Sequence, residues 1–199
     1  MGKFDNVFAG MVLGFIILVV SFCGFWWSSF ALGLDVKCWS ITGIIVGILI
    51  DVMFLEKLLP KFYYLSKLTL LVLYAAYSVG IFGFFMGVPA FNVIPGVFAG
   101  IYIGRKMKIT GQSRDVFKEE MRKATKFSSA VLLAVCFCSA FIALQDPFTG
   151  ENLRGMLGLS FEVTKTHIGL LIILGGTALL LIQYFLVMTA GRIAYEKIE

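Results

Sequence analysis

Charge is what this sequence has least of: only 15% of its 199 residues are Asp, Glu, Lys or Arg, while 59% are hydrophobic. A soluble domain carries about a quarter of its residues as charges, so a water-facing surface is excluded for most of the chain. Histidine is nearly missing as well. The one residue, His167, has no second histidine at ligand spacing and no convergent Cys/His/carboxylate set, which excludes haem held by a helix pair and a transmembrane zinc site. No metal and no cofactor are therefore expected. The four cysteines make no disulfide framework. Cys136 and Cys138 stand two apart and point to different faces of a helix, and Cys23 and Cys38 read as small buried hydrophobes rather than a bridge. Catalytic signatures are missing too, since no phosphate loop, Gly-x-Ser-x-Gly elbow or His-Glu-x-x-His run occurs. The chain is not expected to be an enzyme.

Long uncharged runs are what remains. Asn6 to Leu34, Cys38 to Leu55 apart from Asp51, Leu68 to Gly104, Phe127 to Gln145 and Ile168 to Gly191 carry no charged side chain. A hydrocarbon layer about 30 Å thick needs about 20 apolar helical residues. The first run is too long for the apolar core of a signal peptide and reads as a span. The third is too long for one straight helix, and Gly87-Val88-Pro89 places a turn near its centre. The expectation is an all-α polytopic bundle of six transmembrane helices, the fourth short, in one transmembrane domain covering residues 1–199.

Charge placement gives the orientation. With both termini in the cytoplasm, of 17 basic residues only Lys37, Arg154 and Lys165 fall outside, the asymmetry expected of inward-facing basic loops. Residues 105–126 then form a cytoplasmic basic loop and 145–167 an external one. Trp26, Trp27 and Trp39 fall at the outer interface, and Phe62, Tyr63, Tyr64 and Tyr195 at the inner one. The net charge of +5 faces an anionic leaflet and calls for no nucleic-acid partner. The lipid bilayer is the expected partner, and the expected location is the cell membrane, as a multi-pass protein. Within 105–126, Ser113 is positioned to cap a short helix whose face carries Phe117, Met121 and Ala124. That face either lies on lipid or docks a cytoplasmic or membrane partner through Phe117 and Met121.

Glycines repeat at spacings of four: Gly10 and Gly14, Gly43 and Gly47, and Gly96, Gly100 and Gly104. Such stripes let helix backbones approach closely in lipid, and they are expected to pack within the chain. Two stripes begin alike, Asn6-Val7-x-x-Gly10 and Asn92-Val93-x-x-Gly96. With three helices between the copies, this suggests a 3+3 inverted repeat of the kind built into many transporters. The competing reading is that each Asn simply caps its helix.

One residue stands apart. Asp51 follows Cys38 by 13 positions, about 20 Å of helix, and so lies inside the hydrocarbon layer. It continues the Gly43, Gly47 stripe and should face other helices. Tyr74, Tyr77 and Ser78 on the third helix and Gln183 on the last reach similar depths. These five are the candidate substrate- or ion-binding residues. The competing reading places Asp51 at the inner interface, beside Glu56 and Lys57. Together these features suggest a small permease or substrate-binding transport subunit, with a non-catalytic membrane subunit or assembly factor as the alternative.

Overall fold

The computed structural model describes residues 2–85 and 87–197, and among them every regular element is helical. The elements are α1 (Lys3–Leu32), α2 (Val36–Leu58), a 3-10 turn (Leu59–Tyr64), α3 (Lys67–Phe84), a second 3-10 turn (Pro89–Asn92), α4 (Val93–Ile109), α5 (Arg114–Gln145), α6 (Thr149–Leu157) and α7 (Lys165–Glu196). Five segments are long and apolar enough to cross a membrane: α1, α2 with its 3-10 extension, α3, α5 and α7. Their large apolar side chains are widely exposed, Phe84, Val52 and Val79 among the most. An apolar surface of that extent marks a face that is covered by lipid or by protein. Of the six expected spans, the fourth corresponds to α4, which has 17 residues, about 25 Å of helix.

The chain divides into two compact units, the first running to Tyr77 and the second from Ser78 to Lys197. In the first, α1 and α2 form a hairpin. Gly33 ends α1 in the left-handed conformation at φ 64°, and the Asp35 carboxylate accepts from the Cys38 amide at 2.7 Å to start α2. The helices meet along the glycine stripe of α2. A Cβ on Gly43 would stand 2.7 Å from Phe25 Cβ, and one on Gly47 would stand 3.2 Å from Leu18 Cα. Close approach here requires glycine.

At the far end of this hairpin the aromatic residues of the 3-10 turn pack on protein. Phe62 and Tyr63 are buried, and only Tyr64 is exposed. The 3-10 turn folds them onto α1, where Phe62 packs edge-on against Phe8 and Tyr63 donates to Asp5 at 2.8 Å.

In the second unit α4 packs against α7 and α5. Its buried glycines Gly96, Gly100 and Gly104 face Gln183, Val187 and Gly191 of α7. The register is continuous because both sets are spaced by four. Phe117, Met121, Thr125, Ser128 and Leu132 form the buried face of α5, and their three-to-four spacing is that of one helix stripe.

The segment 105–126 is thus only briefly a loop. Residues 105–109 complete α4, Gly111 turns the chain at φ 64°, and Ser113 caps α5, which then continues unbroken to Gln145. Ion pairs along its exposed face, such as Lys123 with Glu119 at 2.7 Å, suit a helix extending past the apolar layer. The face expected to meet lipid or a partner packs largely inside the unit: Met121 is fully buried against Gly191, and Phe117 stacks on Tyr195 at 4.3 Å while also lining a groove with Arg114 and Arg192. Residues 145–167 likewise contain α6 and the start of α7, where His167 accepts from the Thr164 amide at 3.2 Å and so caps the helix.

Candidate functional site

In the first unit Asp51 takes its place on the stripe of α2, one turn beyond Gly47. Its carboxylate lies against Gly14 of α1, where an added Cβ would stand 3.4 Å from Oδ2. Asp51 Oδ1 is buried and has no hydrogen-bond partner. The missing side chain at Gly14 leaves the carboxylate room in the seam against α1. The expected tyrosine donors do not converge on it. Tyr77 donates instead to the backbone carbonyl of Val12 at 2.6 Å and stacks on Phe15, using its hydroxyl to pin α3 to α1. Tyr74 is also buried, and no hydrogen bond joins it to Asp51 Oδ1.

Ser78 and Gln183 belong to the second unit. Gln183 is fully buried, its carboxamide pressed against Gly96 with Cδ 2.7 Å from where a Cβ would stand, and neither Oε1 nor Nε2 has a partner. Ser78 is buried with its hydroxyl also unpartnered, while its carbonyl accepts from Asn92 Nδ2 at 3.2 Å. Asn92 Oδ1 is then left unpartnered as well. The reading that competes with a repeat makes Asn92 a helix cap. Asn92 occupies the cap position of α4 but makes no capping bond. Its supposed counterpart Asn6 is exposed in α1, and the glycines that follow meet different kinds of partner: Gly14 faces α2, whereas Gly100 faces the last helix.

Asp5 is a residue that the sequence reading passed over. It is fully buried, with Oδ1 accepting from Tyr63 and Oδ2 from the Gly2 amide at 3.0 Å. The signal was present: an acid three residues beyond Gly2 in a helix first turn matches a capping box. Its role is to lock the 3-10 turn onto α1. Tyr63→Phe is expected to lower stability by about 1 to 3 kcal/mol, the range for leaving a buried acceptor short of a donor. A thermal unfolding midpoint in detergent equal to that of the unmodified protein would show the bond to be dispensable.

At the basic end of the second unit, a groove of about 370 Å³ is lined by Arg114, Lys118, Thr189, Arg192, Tyr195 and Glu196 among others. Glu196 pairs with Arg114 and with Arg192, each at 3.4 Å. The four cysteines are free, and among the described residues no group of three or more His, Cys, Asp or Glu is placed to hold a metal. No protein family, curated protein or solved structure matches the chain.

Proposed function

We propose that this chain is a small multi-pass permease, or the membrane-embedded substrate-binding subunit of a transporter, in which Asp51 carries a proton or a cation. The observation that carries this reading is the Asp51 carboxylate in the α1–α2 seam, with one oxygen buried and unbonded. An acid at membrane depth costs at least about 2.5 to 3.5 kcal/mol on insertion scales. A group kept at that cost with a buried oxygen left unbonded is suited to exchange rather than to structure. The test is solute-driven proton or cation movement in proteoliposomes, lost in Asp51→Asn. A second reading, a non-catalytic membrane subunit or assembly factor, draws support from the charged groove at Arg114, Lys118 and Arg192, which Phe117 also lines and which offers a partner surface.

In this reading α4 also crosses the membrane, as the fourth of six spans. Its basic last turns, with Arg105, Lys106 and Lys108, share the cytoplasmic side with the start of α5, and both termini face the cytoplasm. The inverted repeat adds nothing here, because its matched glycines have unmatched partners. The orientation is tested by single cysteines at Gln112 and at Asn152, both exposed, on a background without the native four. An impermeant maleimide applied to intact cells should label the Asn152→Cys protein alone. Labelling at position 112 before permeabilisation would reverse the topology.

A further inference from the structure

We propose that the second unit holds a binding site for a small uncharged hydrogen-bonding solute, centred on the Gln183 carboxamide and continued by Asn92 and Ser78. Four polar atoms on three almost fully buried residues lack partners: Gln183 Oε1 and Nε2, Asn92 Oδ1 and Ser78 Oγ. Native proteins pair nearly all such groups, and exceptions mark sites whose partner comes from elsewhere. The three residues are also linked. Gln183 lies on Gly96, Asn92 stands one helical turn before Gly96 on the same face of α4, and Asn92 holds the Ser78 carbonyl. Glycine at position 96 is what admits the carboxamide between α4 and α7, since any side chain there would collide with it.

The chemistry of the set selects the ligand class. Two carboxamides and a hydroxyl offer both donors and acceptors without formal charge. No charged residue occurs on α4 before Arg105, on α5 between Lys126 and its end, or on α7 between Lys165 and Arg192. An ion would find no countercharge along these stretches, whereas an alcohol, amide or carbonyl group would complete the unpaired set. This site is independent of the Asp51 reading, which concerns the first unit.

The test is thermal unfolding of the full chain in detergent, alone and with glycerol or acetamide, compared between the unmodified protein and Gln183→Met. Methionine keeps the unbranched length and removes both polar atoms. Without solute, Gln183→Met is expected to unfold at the same or a higher temperature, because an unsatisfied buried amide is lost rather than a bond. With solute, the unmodified protein should rise by a few degrees more than Gln183→Met, and Ser78→Ala should fall between them. Taking the difference removes the general stabilisation that polyols give any protein. A midpoint for Gln183→Met several degrees lower without solute would show the amide to be a structural partner and overturn the site. Equal solute shifts in the two proteins, or no shift in either, would overturn it too. Loss of transport in Asp51→Asn with the solute shift intact separates this proposal from the preceding one.

Discussion

Gly100→Leu is expected to abolish folding of the second unit, and Gly100→Ala to cost about 1 to 3 kcal/mol or more, the range for overpacking a tight interior. The cause is a backbone-to-backbone contact between α4 and α7. A Cβ on Gly100 would stand 2.5 Å from the Val187 carbonyl oxygen and 3.3 Å from Val187 Cα. Neither atom can move without moving the helix. Gly104 is equally constrained, since a Cβ there collides with the Gly191 carbonyl and approaches Ala194 Cβ at 2.9 Å. Gly96 is different, because its added Cβ meets the far end of the flexible Gln183 side chain. Alanine should therefore be tolerated better at 96 than at 100 or 104. Gly176 on α7 has nothing within 4 Å, so alanine there should stabilise slightly by helix propensity, by up to about 1 kcal/mol. Thermal unfolding of the four alanine variants in one detergent checks the order. A Gly100→Ala midpoint at or above that of Gly176→Ala would mean that the two helices do not touch along this stripe.

This interface shows how much a single sequence carries. The spacing of Gly96, Gly100 and Gly104 marks a close helix contact, because in lipid only small residues permit one, but it does not name the partner. That came from Gln183, Val187 and Gly191, whose own spacing of four is hidden in a helix of uniform hydropathy. The long uncharged runs marked the helices for the same reason in reverse: within hydrocarbon a backbone has no donor or acceptor but itself. At 114–126 the Ser113 cap and the helix face were legible, but the length of the helix was not. Lysines and acids there resemble a solvated loop, yet the Ser113 cap and pairs such as Glu119 with Lys123 carry α5 onward, and its apolar stripe turns inward to Met107 and Val187. An amphipathic face records that something covers it, not whether the cover is lipid, a partner or the chain itself. The five-residue polar patch met the same limit. Depth was legible from counting residues, but hydrogen-bond partners depend on neighbours that lie far away in the sequence, as with Tyr77 and Val12 or Asn92 and Ser78.

Asp51→Asn is expected to abolish proton- or cation-coupled solute movement while leaving the unfolding midpoint within about a degree of the unmodified protein's, the size of shift that a few tenths of a kcal/mol produces in a protein this large. The asparagine amide fills the same space against Gly14 and removes only the capacity to bind and release a charge. No hydrogen bond to Oδ1 is lost, since none is made. Asp51→Leu should be no less stable, because a carboxylate at this depth is not there for stability, and it should be equally inactive. Gly14→Leu provides the complementary variant. It leaves the acid in place but occupies the room opposite it, where an added Cβ alone already comes within 3.4 Å of Oδ2, so the carboxylate is displaced from the seam. Transport should then be lost with Asp51 intact, which separates the position of the charge from its presence. If Asp51 were only an interfacial acid near Glu56 and Lys57, neutral replacements would leave transport unchanged and Gly14→Leu would alter stability alone. Proteoliposomes containing a pH-sensitive or cation-sensitive dye, challenged with a panel of solutes under an imposed gradient, distinguish these outcomes. Undiminished coupled movement by the Asp51→Asn protein would remove Asp51 from the mechanism.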